Sequence, residues 1–152
     1  LVLGIGLSLA PIGAFLAVTG EFNIVPLLFS FAVVFWVSGF DVIYALQDIE
    51  FDKSQSLYSI PSYLGLHKAL NIARALHVIS AGFVIAAFFL GGFHIVYLGG
   101  LFVFIGMLIY QHSIVKPHDL RKVNIAFMTA NGIASIVFSI FVIADILMST
   151  FS

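Results

Sequence analysis

The sequence predicts an all-α integral membrane protein, a helical bundle with five transmembrane helices. Two observations carry that prediction. Hydrophobic residues make up 62% of the 152-residue chain and charged residues only 9%, against roughly 45–50% and 25% in a soluble domain. So few charges cannot clothe a water-facing surface. The apolar residues also fall in five continuous stretches rather than in the alternating pattern of barrel strands. Each stretch is close to the ~20 residues that a helix needs to cross a hydrocarbon core of about 30 Å.

The first stretch, residues 1–19, opens directly in LVLGIGLSLAP and runs to TGEFN. Neither an initiator Met nor a signal-peptide pattern precedes it, so the chain is expected to be a fragment that begins inside a larger protein. The second stretch, 26–46, leads into the polar connection DKSQSLYSIPSYLGLHK, and the third, 69–91, ends at GGFH. GGF and LGG, near 91–100, read as a tight turn rather than a phosphate loop. The fourth stretch, 94–112, ends at KPHDLRK, and the fifth covers 123–148. No internal repeat or low-complexity tract appears.

Orientation follows from the six basic residues. Lys53, Lys68 and Arg74 flank the second connection, and Lys116, Arg121 and Lys122 line the fourth, while the first and third have none. The positive-inside rule then places loops 47–68 and 113–122 in the cytoplasm. A net charge of −1 argues against a nucleic-acid partner, which would demand a basic patch. The absence of cysteine excludes disulfides and thiolate metal sites.

Chemistry concentrates in GFDVIYALQDIEFDK, residues 39–53. Four of the seven acids, Asp41, Asp48, Glu50 and Asp52, follow directly on an apolar run. On an α-helix continued through residue 52, Asp48 and Asp52 lie within ~20° of Asp41 around the axis and Tyr44 within ~60°, while Glu50 points the opposite way. Asp48 and Asp52 are one turn apart and can approach a common ion. Asp41 is ~16 Å from Asp52 along the axis and must serve another point of a ligand or a second ion. Like charges at that spacing repel, and ionisable groups at a membrane edge are costly. A divalent cation offsets both costs, and carboxylate with water suits Mg²⁺, completed by substrate phosphates. The pattern thus suggests a Mg²⁺–phosphate site at the cytosolic mouth of a helix bundle. Its plain alternative is a membrane helix running out into a solvated acidic loop.

The spacing Asp41-x-x-Tyr44-x-x-x-Asp48-x-x-x-Asp52 resembles the second aspartate-rich motif, DxxYxxxDxxxD, of the UbiA family of intramembrane prenyltransferases. PIGAFLAVTG (11–20), WVSGFDVIYALQDIEFDK (36–53), SIPSYLG (59–65) and NIAFMTANGIAS (124–135) also look like family blocks, in family order. Within the family the similarity is nearest to bacterial 4-hydroxybenzoate polyprenyltransferases and related menaquinone-pathway enzymes. The resemblance implies a nine-helix fold whose fifth to ninth helices correspond to the five here. Residues 1–152 would be the C-terminal portion of one such membrane domain, in a bacterial inner membrane, with the first Asp-rich motif absent. It implies Mg²⁺-dependent transfer of a polyprenyl group from polyprenyl diphosphate to an aromatic acceptor, 4-hydroxybenzoate or another precursor of ubiquinone or menaquinone. Asp41, Asp48 and Asp52 would hold Mg²⁺, and Lys53 would add a cation at the diphosphate. Tyr44 would either hydrogen-bond the diphosphate or face the allylic cation. With one motif of two, the chain alone is expected to be inactive.

Other residues are read less specifically. QSLYSIPSYLG is a lid shaped by Ser59 and Pro61, or a connector with turn residues. Lys68 and Arg74 meet diphosphate or simply anchor the topology. Asn124 and Asn131, seven apart on one face of the last helix, read as interhelical hydrogen-bonding groups. His67, His77, His94, His112 and His118 show no metal-ligand spacing and read as interfacial or satisfied groups, and Asp145 as exposed at the outer interface. Two function classes compete with the transferase. One is a transporter or ion-conducting protein using the carboxylates as an ion path, which the absence of partner acids at mid-depth disfavours. The other is a noncatalytic assembly subunit made from half of the fold.

Overall fold

The computed structural model describes residues 2–117 and 119–151, so His118 lies outside the described residues. Helices dominate them and there is no strand: α1 (Val2–Thr19), α2 (Ile24–Tyr44), α3 (Ile49–Ser54), α4 (Ile60–Leu64), α5 (Leu66–Gly91), α6 (Ile95–Ile114) and α7 (Asn131–Thr150). A 3₁₀ turn over Ala45–Asp48 joins α2 to α3, and a π-helical turn over Ile125–Ala130 leads into α7. Among the described residues, five spans are long and apolar enough to cross a membrane: Val2–Thr19, Ile24–Ser54, Leu66–Gly91, Ile95–Ile114 and Ile125–Thr150. They are the five predicted stretches. The chain is a multi-pass membrane protein.

The ends of these helices have local causes. Asn23 begins α2, its Oδ1 accepting from the Val25 amide at 2.9 Å. Ser59 and Ser62 form a reciprocal capping box that starts α4, and Gly65, at φ +82°, turns the chain into α5. Gly92, at φ +65°, closes α5 in the left-handed conformation that glycine adopts without a Cβ penalty.

α2 is the organising element: it packs along α5 on one side and α1 on the other, while α6 pairs with α7. Gln47 Nε2, just past α2, donates to Asn124 Oδ1 at 3.4 Å, so the second and fourth connections lie at the same end of the bundle. A cluster of Ile43, Leu46, Leu70, Val115 and Val123 seals that end. In the fourth connection the Arg121 guanidinium, hydrogen-bonded to Asp119 at 2.9 Å, holds the Asp119 carboxyl well below the usual carboxylate range.

Three expectations are corrected. The LGG glycines do not belong to the turn. Gly99 and Gly100 lie inside α6, where a Cβ on either would sit under 3 Å from Phe141, so their bareness lets α6 and α7 close on one another. The acidic helix is not continuous: α2 ends at Tyr44 and the 3₁₀ turn interrupts it before α3. Asp145 is not exposed at an interface but 2% accessible. Its carboxylate accepts from the His94 and Tyr97 amides at 2.8 and 3.0 Å, capping the start of α6. The amides that open a helix lack intrahelical partners and carry partial positive charge, so a buried carboxylate satisfies both demands at once. Asp145→Ala would leave two amides unpaired in apolar surroundings and should cost about 1–3 kcal/mol. Thermal unfolding in detergent should show a clear drop for Asp145→Ala and a smaller one for Asp145→Asn, which keeps an acceptor oxygen.

Candidate active site

The motif residues are spread over the basic end of the bundle. α2 continues as α-helix to Tyr44 and then tightens to 3₁₀ at Ala45–Asp48, with Asp48 itself at φ −99°, ψ 7°. A 3₁₀ turn advances ~120° per residue instead of ~100°, so four residues turn everything beyond them by roughly 80° relative to an unbroken α-helix. Asp48 and Asp52 are carried round together; Asp41 stays behind.

Asp41 therefore has surroundings of its own. It is half-buried and lines a pocket of about 310 Å³ with Ser38, Ala45, Ile60, Pro61, Ile72 and Leu76, between α2, α4 and α5. The segment read as lid or connector thus folds as a short helix against the pocket that holds Asp41. Asp48, Glu50 and Lys53 are exposed and Asp52 is half-buried. The Asp52 carbonyl accepts from the Leu57 amide at 2.8 Å, tying α3 to the turn that precedes α4. Among the described residues, no three His, Asp or Glu side chains are grouped closely enough to hold a metal ion by themselves. Asp48 and Asp52 still offer the hard oxygen donors that Mg²⁺ prefers, and Mg²⁺ usually takes one or two carboxylates with waters and substrate phosphates completing its shell. That donor set fits.

Tyr44, 41% accessible, lies against Phe127 of the π-helical turn with ring centroids 4.5 Å apart. Phe127 also meets Phe40 edge-on at 5.3 Å, and Phe40 meets Trp36 at 5.9 Å. Trp36, Phe40 and Tyr44 are four residues apart, so they form one stripe along α2. The stripe descends from the acidic mouth to an apolar cavity of about 670 Å³, open along one side and lined by Phe29, Val33, Trp36, Phe104, Phe138 and Val142 among others. At its inner end Trp36 Nε1 donates to Asn131 Oδ1 at 3.2 Å. Asn124 and Asn131 thus both bond across to the α2 span, as their spacing suggested.

Sequence reasoning passed over Phe40, Trp36 and Phe127. The four-residue recurrence of aromatics along α2 was available as a signal, whereas Phe127 approaches only through tertiary packing. The histidines read as satisfied groups include a buried pair. His77, 2% accessible, faces the His112 Nε2 through its Nδ1 at 2.8 Å and the Trp36 carbonyl through its Nε2 at 3.2 Å. The ring fits because α2 carries Gly39 opposite it, where a Cβ would lie 2.3 Å from Nε2. Gly39→Val should force α2 and α5 apart and break the bond to Trp36, an overpacking loss of about 1–3 kcal/mol. A lower melting temperature with the apolar exterior unchanged would register it; an unchanged one would contradict this packing.

A model of the UbiA prenyltransferase family matches residues 1–136, from α1 into the first turns of α7. The chain belongs to the UbiA prenyltransferase family. No curated protein and no solved structure matches it. UbiA proteins are membrane transferases that move polyprenyl groups from diphosphates to aromatic acceptors, and the match takes in the acidic motif, the aromatic stripe and the π-helical turn.

Proposed function

We propose that this chain forms the second-motif half of the active site of a Mg²⁺-dependent aromatic polyprenyltransferase. Its substrates are a polyprenyl diphosphate and 4-hydroxybenzoate or a related precursor of ubiquinone or menaquinone, at the cytosolic face of a bacterial inner membrane. On this reading residues 1–152 are the C-terminal part of a nine-helix domain. One observation carries the proposal: an aromatic stripe runs from an acidic, basic-flanked mouth to an apolar cavity. An anionic head and a long isoprenoid tail need those two environments in that order.

Asp48 and Asp52, with Asp41 behind them, would hold Mg²⁺, which when bound neutralises charge on the leaving diphosphate. Lys53, exposed next to Asp52, adds a cation at the diphosphate oxygens. The allylic C–O bond breaks with its electron pair leaving on the diphosphate. A ring carbon ortho to the acceptor hydroxyl then attacks the allylic cation, and the ring proton at that carbon is lost. The cavity's mostly apolar lining offers water few hydrogen-bonding partners beside the cation, which water would quench as an alcohol. Tyr44 and Phe127 stand where the stripe meets the mouth, and their ring faces suit a passing cation. The test is an assay of membranes containing the enzyme with radiolabelled polyprenyl diphosphate and 4-hydroxybenzoate. Prenylated benzoate should form only with Mg²⁺ present. Product formation undiminished by a chelator would defeat the proposal.

A further inference from the structure

The groove between α5 and α6 has no part in this chemistry. It measures about 460 Å³, walled by Val78, Ala81, Ile105 and Ile109, with Arg74 and His112 at one end. Its depth in the membrane follows from the helices. α6 has 20 residues, ~30 Å at 1.5 Å per residue, which matches the hydrocarbon core. His112 is two residues from the end of α6, and its 2.8 Å contact with His77 brings that level of α5 beside it. Arg74 lies about one turn further toward the basic end. The guanidinium therefore stands at the headgroup boundary, while Ala81 and Ile105 lie one to two turns deeper.

The polar end has a definite charge pattern. The Trp36 carbonyl only accepts, so His77 Nε2 carries its proton and donates, leaving Nδ1 to accept from His112 Nε2–H. Gln111 Nε2 also faces that Nδ1, at 3.2 Å. Arg74 supplies the cation, its Nη1 donating to Asn71 Oδ1 at 2.9 Å. No carboxylate lines the groove among the described residues. A guanidinium suits a phosphate bidentately, and basic pockets between transmembrane helices on the cytoplasmic side take anionic headgroups. A free phosphate ion would use Arg74 and leave the apolar slot empty; a zwitterionic lipid would set its own ammonium beside the guanidinium. We propose that the α5–α6 groove binds an anionic glycerophospholipid, its phosphate on Arg74 and one acyl chain along Val78, Ala81, Ile105 and Ile109.

The proposal stands apart from the transferase reading, and its test needs no turnover. The protein is reconstituted in phosphatidylcholine vesicles containing a trace of phosphatidylglycerol or of phosphatidylcholine with a photoactivatable diazirine in the acyl chain. After illumination, labelled peptides are mapped by mass spectrometry. The phosphatidylglycerol probe should label the Val78–Ala81 and Ile105–Ile109 segments about fivefold more than the phosphatidylcholine probe. Arg74→Gln should bring the two probes level, and Arg74→Lys should keep most of the preference. Equal labelling by both probes in the wild type would mean ordinary annular lipid and overturn the proposal. Absence of label in the groove would show it covered by protein and overturn it too. Retained preference in a folded Arg74→Gln protein would assign the selectivity elsewhere.

Discussion

Asp48→Asn should reduce prenyl transfer at least ~100-fold, the scale seen when one electrostatic contributor to a transition state is removed. Glu50→Gln should leave the rate within about threefold, as surface charge changes away from the chemistry usually do. Both residues are exposed, and they are two positions apart in the same segment. General loss of negative charge at the mouth would affect them alike. We attribute the expected difference to the four-residue spacing that lets Asp48 and Asp52 face one cation together, whereas Glu50 falls two positions from each. Asn keeps the size and the hydrogen-bonding oxygen of Asp48 but not the charge that a divalent cation requires. The rate should fall mainly in kcat, with the Mg²⁺ concentration for half-maximal activity raised, because charge on the departing diphosphate is greatest in the transition state. The measurement is initial rate against Mg²⁺ concentration for the two variants, in a form of the enzyme whose wild type turns over. Equal losses from the two substitutions would remove the facing argument.

Much of the architecture was legible because a bilayer allows so few solutions. Apolar runs of about twenty residues had to be helices, since every backbone amide must be satisfied internally, and each predicted span falls on a helix. The connection chemistry was equally readable at GGFH, where Gly92 caps α5. What stayed hidden depends on partners distant in sequence. Ala45-Leu46-Gln47-Asp48 contains mostly good helix formers, so nothing local announces the 3₁₀ turn that rotates Asp48 away from Asp41's pocket. Asp145 near the end of a span reads as interfacial until α6 brings its first amides to it across 48 to 51 residues. Gly99 and Gly100 look like turn residues because their second role, close helix approach, shows only when Phe141 arrives. The same holds for His77, whose fit needs Gly39 from α2 and His112 from α6. The aspartate spacing itself was visible in the sequence, and the family match takes in that segment.

The 152-residue chain purified alone should give no detectable prenyl transfer, whereas the chain extended to include a first Asp-rich motif should turn over. Only one aspartate-rich segment is encoded in residues 1–152: outside it, Glu21, Asp119 and Asp145 stand alone. Two of those three are further committed elsewhere, since Asp119 pairs with Arg121 and Asp145 caps α6. Among the described residues no three-acid group compensates. Water can complete a Mg²⁺ shell but cannot position a departing phosphate, and loss of positioning alone can remove about 7 kcal/mol or more of rate enhancement. At roughly 1.4 kcal/mol per decade that is about 10⁵-fold, below the floor of a radiolabel assay. Weak Mg²⁺–diphosphate binding should nevertheless survive, because Asp48, Asp52 and Lys53 are all present on the α2–α3 segment. The two readouts separate the explanations. Isothermal titration with Mg²⁺–diphosphate reports the half-site, and turnover reports the completed one. Binding without turnover in the chain, and both in the extended protein, is the expected result. Comparable turnover in the two would show that the Asp41–Asp52 segment suffices by itself. Binding without turnover in both would favour a noncatalytic half-fold subunit, because a first motif would then have been supplied without restoring the chemistry.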